Sequence, residues 1–175
     1  WVLKPNELNE ISNTFNAKKD EWEKYSGEVK SMLQAELDRF KLDAIVSTRF
    51  KNFYSIYRKM IKKNLEPDKV LDIKAFRIIS KDISSCYAAL GAVHSTWKPI
   101  PGRFKDYIAL PKSNGYQSLH TTVIGPFGDK VEVQIRTEDM NEIAEYRVAA
   151  NWKYKMDSKE RRKLIDLTDR VKSIL

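Results

Sequence analysis

The chain has 175 residues, with 32 Lys and Arg against 24 Asp and Glu and a formal net charge of +8. That length suits one domain with a full core rather than two large ones, and no apolar run approaches the roughly 20 residues of a membrane span. The lone Cys86 excludes an internal disulfide framework and fits a reducing cytoplasm, while the charge favours anionic partners, with ordinary solubility charge an equal alternative.

The N-terminus, Trp1-Val2-Leu3-Lys4-Pro5, carries neither an initiator Met nor a signal-peptide pattern, so a piece of a longer chain is expected. Leu8, Ile11, Phe15 and Trp22 share one face of a predicted helix over residues 6–24. Gly27 is expected to break it, and Val29, Met32, Leu33, Leu37 and Phe40 form the stripe of a second helix. A β-prone run follows at 44–48, then a helix over 50–63, a turn at Pro67-Asp68 and a strand over 73–79. Asp82 is placed to cap a helix whose apolar face is Ile83, Cys86, Tyr87, Leu90 and Val93. Residues 99–102 form a loop, and 107–110 read as a short strand. A hairpin joins 117–124 to 130–136 across 125–129, followed by a helix over 138–154 and a charged helix over 158–174. Helices and strands intermix, so the expected class is α/β or α+β around a mixed β-sheet flanked by helices.

The chemistry concentrates in Gly102-Arg103-Phe104-Lys105-Asp106-Tyr107 and in Pro111-Lys112-Ser113-Asn114-Gly115-Tyr116-Gln117-Ser118-Leu119-His120. Arg103, Lys105 and Lys112 are cations for phosphate oxygens. Asn114-Gly115 permits a tight turn, Tyr116 offers a ring for a base to stack on, and His120 is a donor that reaches a phosphate. Alternation in the hairpin puts Val131, Val133 and Ile135 on one face and Glu132, Gln134 and Arg136 on the other. His120 and Thr122 share a face on the partner strand, opposite Leu119, Thr121 and Val123. A solvated polar face is the plain alternative, but an acid, a base and amides beside a basic loop favour a binding cleft.

Upstream, Arg49, Lys51, Arg58 and Lys59 cluster around Tyr54 and Tyr57. Arg49 and Lys51 lie near a predicted helix start, where backbone N–H groups also attract phosphate; a solvated helix face is the alternative. Asp72 precedes a strand and, with Glu132, would supply the carboxylates that hold Mg²⁺ against substrate phosphates. No Cys-x-x-Cys is present, and two His 26 residues apart make a poor zinc signature. The P-loop and Rossmann glycine patterns are absent. His94 reads as a packed histidine rather than a catalyst.

These residues resemble a known family. The segments Phe53 to Lys59, Trp97 to Ala109, Asn114 to Thr122 and Val131 to Thr137 are similar, in order, to the synthetase domain of RelA/SpoT-type alarmone enzymes. The resemblance implies a GTP/GDP pyrophosphokinase, which moves the β,γ-pyrophosphate of ATP to the 3′-hydroxyl of GDP or GTP and makes the stringent-response alarmone (p)ppGpp. It implies a nucleotidyltransferase-like sheet and Mg²⁺, with Mn²⁺ as a substitute. Asp72 and Glu132 match the catalytic, metal-holding carboxylates. Arg49, Lys51 and Lys59 match ATP-side residues, and Lys112, Asn114, Tyr116 and His120 match GDP/GTP-side residues. Arg103, Lys105, Gln134 and Arg136 fall in phosphate-side motifs.

The resemblance also implies an organisation for residues 1–175: N-terminal helices over 1–43, a catalytic core over 44–155 and a C-terminal helix over 156–175. The basic Arg103-Phe104-Lys105-Asp106 resembles the form in bifunctional synthetase/hydrolases, so the expected parent carries a hydrolase domain upstream and regulatory domains downstream, neither present here. A cytoplasmic enzyme without membrane contact is expected, touching ribosome or RNA only through the absent regions. The chain departs from the family pattern at Arg147 and Asn151, where Gly and His are common, and at Ser84-Ser85, where an Arg is frequent. Two other functions compete: a nucleotide-binding regulatory module without catalysis, and an RNA-binding domain built on charge and aromatics.

Overall fold

The computed structural model describes residues 5–49 and 74–155. The helices expected over 50–63 and 158–174, and the turn at Pro67-Asp68, lie outside the described residues. Trp1–Glu138 and Asp139–Leu175 form two compact units.

Helix α1 runs unbroken over Pro5–Arg39, about 50 Å at 1.5 Å per residue. The break expected at Gly27 does not occur. Gly27 is exposed, and its penalty against alanine is only about 1 kcal/mol. Val29, Leu33 and Leu37, at most 2% exposed, bury one face straight past it, each contributing roughly 1.5–3 kcal/mol. The helix ends in a Schellman turn. Lys41 adopts φ 54°, its N–H bonds Asp38 O, and the Leu42 N–H bonds Leu37 O.

Strands β1 (Ala44–Thr48), β2 (Lys74–Ser80), β3 (Lys105–Asp106), β4 (Leu119–Ile124) and β5 (Lys130–Thr137) form one sheet in the order β1-β2-β5-β4-β3. The β2–β5 pair is parallel and the other three are antiparallel. The fold is therefore α+β with a mixed sheet, as its sequence pattern anticipated. The β1, β2 and hairpin strands fall within two residues of their expected places.

One face of the sheet is the core. Val46, Phe76, Ile78, Leu119, Val123, Val131, Val133 and Ile135 are at most 1% exposed. Helix α1 reaches this face through Trp22, whose ring lies 6.4 Å from that of Phe76. It also closes the outer edge of β1: Gln34 Nε2 donates to Ala44 O at 3.0 Å, and the Val46 N–H donates to Gln34 Oε1 at 3.1 Å.

Helix α2 (Ile83–Thr96) starts on the expected cap, with Asp82 Oδ1 accepting from the Ser85 N–H at 2.7 Å. That amide holds the Asp82 carboxyl below its ordinary range. The apolar face differs from expectation, because Ile83 and Tyr87 are 49% and 39% exposed. The buried stripe is Cys86, Ala89, Ala92 and Val93, whose small side chains admit the helix close to the sheet. Tyr87 instead turns its hydroxyl outward to donate to Asp106 Oδ2 at 2.8 Å. His94 is a packed residue, half-buried and hydrogen-bonded to Thr121 Oγ1 at 2.8 Å on the core face.

The strand expected at 107–110 is displaced to Lys105–Asp106. Asp106 Oδ1 accepts from the Ile108 and Ala109 N–H groups at 3.0 and 2.8 Å, which bends the chain into a turn. Helix α3 covers Glu138–Lys155, matching its expected span. No described helix is long and apolar enough to cross a membrane.

The left-handed conformation at Lys41 is one that glycine adopts without strain. Lys41→Gly is expected to raise stability by about 1 kcal/mol, read as a higher urea midpoint at unchanged slope; an unchanged midpoint would show the turn to be unstrained.

Candidate active site

Because β5 is paired on both sides, register fixes what shares its second face. Ser47, Arg77, Gln134, His120 and Lys105 lie in one row across all five strands. Glu132 stands one step along, opposite Thr122 and Ala75. Arg49 joins that end of the sheet through its N–H, which bonds Ala75 O at 2.9 Å. The alternation expected for the hairpin is thus present residue for residue. It brings Arg49, Lys105, His120, Glu132, Gln134 and Arg136 to one face.

Glu132 is the only carboxylate that the described strands place there. Its Oε1 accepts from Gln134 Nε2 at 3.0 Å and lies 3.9 Å from Arg49 Nη1, with the side chains 27% and 35% exposed respectively. Its carboxylate is a ligand of the kind a hard divalent ion uses, which takes one or two carboxylates plus phosphate oxygens. Among the described residues no group of three or more His, Cys, Asp and Glu converges.

The loop after β3 supplies the aromatic half. Gly115, at φ 74°, makes the tight turn that Asn114-Gly115 foretold; its N–H bonds Lys112 O, and the Lys112 N–H bonds Tyr116 O. Asn114 Oδ1 accepts from the Tyr116 N–H at 3.0 Å, so Asn114 shapes the loop with its oxygen and leaves its NH₂ for other partners. Tyr116 shares a 2.8 Å hydrogen bond with His120 Nε2. Tyr107, Tyr116 and His120 meet edge to face, with centroids 5.4–6.2 Å apart. Lys112 Nζ sits 4.5 Å above the Tyr107 ring and 5.2 Å from Tyr116, a cation–π geometry.

Burial pushes the His120 imidazole down to about 4; Glu132 opposes this, while Lys112, Arg49 and Arg136 add to it. His120 is therefore neutral at physiological pH, and each ring nitrogen can donate or accept according to tautomer.

Depth separates the remaining residues. Lys105 is exposed at the edge of the row, and Arg103 is exposed on the preceding turn. Gln134 and Arg136 are each 2% exposed; the Arg136 guanidinium lies 5.8 Å from the Tyr116 ring. Asp72, Lys51 and Lys59 lie outside the described residues. Two participants escaped the sequence reading. Arg77 stands between apolar Phe76 and Ile78, so strand alternation alone would have put it on this face. Tyr107 lies in the motif that sequence singles out, but nothing local in sequence gives it a role or reveals its contact with His120.

The chain is similar to known proteins over most of its length. The region found in RelA / SpoT proteins matches residues 48–159. A GTP pyrophosphokinase of Myxococcus xanthus is 51% identical over 153 residues, covering 87% of this chain and 20% of that protein. The bifunctional (p)ppGpp synthase/hydrolase SpoT of Escherichia coli K12 is 48% identical over 154 residues, 88% and 22% of the two chains. The chain thus spans about a fifth of the length of these curated relatives. Among solved structures, a GTP pyrophosphokinase family protein from Streptococcus pneumoniae superposes with TM-score 0.66 at 22% identity, covering 90% of this chain and 87% of that one. The small alarmone synthetase 1 of Bacillus subtilis does so with TM-score 0.66 at 21% identity, covering 93% and 96%. At such identity the superpositions speak to the fold.

The lowered His120 value has a direction in stability. The unfolded imidazole binds its proton near 6.5 and the folded one only near 4, so the unfolded state gains protons first as pH falls. The stability lost through His120 is nil above about pH 6.5 and grows as pH falls towards 4. Urea unfolding across this range should show a shallower decline for His120→Gln than for the unmodified chain; equal slopes would place the titration elsewhere.

Proposed function

Because the chain belongs to the RelA/SpoT family, we propose that it is a (p)ppGpp synthetase domain, transferring the β,γ-pyrophosphate of ATP to the 3′-hydroxyl of GDP or GTP. The observation that carries this reading is the single sheet face on which Glu132, Arg49 and the Tyr116–His120–Lys112 cluster converge. Both substrates are polyanions, and cations at both ends of the face offset their mutual repulsion.

Arg49, with Lys51 and Lys59, holds the ATP phosphates. Tyr116 stacks on guanine, with Asn114 alongside. Lys112, drawn from the tyrosine rings, and neutral His120 face the phosphates of the guanine nucleotide, and Arg103 and Lys105 line the approach. Glu132 accepts the proton of the 3′-hydroxyl as its oxygen attacks the β-phosphorus. The new O3′–Pβ bond replaces the bridge between the α- and β-phosphates, and AMP departs. Asp72, two residues ahead of the first described residue of β2, and Glu132 would hold Mg²⁺. When bound, the ion neutralises charge on the transferring group.

Residues 1–175 are read as one synthetase domain of a longer protein. The coverage of about a fifth of each relative supports further domains; the basic Arg103-Phe104-Lys105-Asp106 motif favours a hydrolase neighbour and a regulatory region.

Incubation with Mg²⁺, γ-labelled ATP and GDP or GTP should place label in a guanosine tetra- or pentaphosphate on thin-layer chromatography. Asp72→Asn and Glu132→Gln should each lower turnover at least about 100-fold while calorimetry still detects both nucleotides. Tyr116→Ala should raise the KM of the guanine nucleotide about tenfold or more, as loss of a stacking platform does, and leave that of ATP nearly unchanged. Tight, salt-sensitive RNA binding without turnover by the unmodified chain would overturn the reading.

A further inference from the structure

Gln134 occupies the centre of the polar row, between Arg77 on β2 and His120 on β4. It is 2% exposed. Its Nε2 donates to Glu132 Oε1 at 3.0 Å, while its own Oε1 is buried without a hydrogen-bond partner among the described residues. An apolar side chain would bury there without leaving an acceptor unpaired. What the amide adds is the bond to Glu132. Arg49 Nη1 approaches the same Glu132 oxygen, at 3.9 Å, and among the described residues Glu132 Oε2 takes neither a hydrogen bond nor an ion pair. A glutamate carboxylate otherwise turns broadly about its last torsion. Two groups on one oxygen, one of them locked in the sheet, leave the other oxygen presented in a fixed direction.

We propose that Gln134 is a positioning residue for Glu132, and not a phosphate ligand: its amide N–H fixes Oε1 and so aims Oε2 at the reacting groups. The inference rests on the synthetase reading above, because it takes Glu132 as the group that meets the hydroxyl. It assigns the buried amide to the rate of transfer rather than to substrate affinity.

The test is a double-mutant cycle on the whole chain with Q134M, which keeps the volume and removes the donor, E132Q, and the two combined. Turnover is followed with labelled ATP and GDP under single-turnover conditions. ATP and GDP binding is measured separately by calorimetry, and folding by circular dichroism. Q134M should lower kcat about 10–100-fold, the usual effect of losing an outer partner of a catalytic ligand, with both KM values and both calorimetric affinities within about threefold. In the E132Q background, adding Q134M should change the residual rate by less than about twofold, because the group it acts through is already altered. If Q134M does not fold, Q134N, which withdraws the amide by one methylene, should show the same pattern.

Multiplying losses in the double variant, or a raised KM at unchanged kcat, would overturn the proposal in favour of an independent or phosphate-binding role. Wild-type turnover matched by Q134M would overturn the positioning role alone. No turnover by the wild-type chain would remove the synthetase reading and the proposal with it.

Discussion

The pleat of β5 sends Val131, Val133 and Ile135 to one side of the sheet and Glu132, Gln134 and Arg136 to the other, and a one-residue slip would exchange the two sets. Slippage is blocked because the apolar set is buried completely and because β5 is paired on both flanks, parallel to β2 and antiparallel to β4. The hydrophobic core therefore does more than stabilise. By fixing register it determines which polar residues become neighbours across five strands. Chemistry assembled on such a surface inherits the rigidity of the core behind it, which suits a site whose parts must be held closely.

The electrostatics of that face are asymmetric. Among the described residues one carboxylate, Glu132, stands on this face beside Arg49, Arg77 and Arg136, and burial together with Lys112, Arg49 and Arg136 keeps the His120 imidazole neutral. A neutral imidazole adds no charge to a row already rich in cations and can still exchange hydrogen bonds with Tyr116. The surplus of positive charge suits polyanionic ligands. Glu132 stays anchored by short-range contacts on one of its oxygens.

Much of this was legible in the sequence because strand periodicity is a local property. Residues 130–136 alternate cleanly, so the face carrying Glu132 and the facing of His120 follow from counting by two. Asp82 and Asn114-Gly115 announced a cap and a turn by side-chain chemistry alone. Other features depend on contacts that sequence does not display. Gly27 looked like a helix break, but Val29, Leu33 and Leu37 are held by tertiary packing that outweighs one weak residue. Ile83 and Tyr87 looked buried, but alanines on the adjoining face let α2 approach the sheet more closely. Depth was the least visible property: Lys105 and Arg136 read alike as phosphate-side cations, yet one is exposed and the other lies beneath a tyrosine ring.

The two edges of the sheet are finished differently. At one end, β3 is only two residues long. At the other, β1 is a full strand with Ile45 69% exposed, the kind of border on which a second chain can nucleate intermolecular pairing. Gln34 answers part of that hazard, since its amide offers one donor and one acceptor in the spacing of a neighbouring strand and occupies Ala44 O and Val46 N–H. A single side chain on a helix thus serves as a one-residue sixth strand, shielding the border from self-association while adding no further edge.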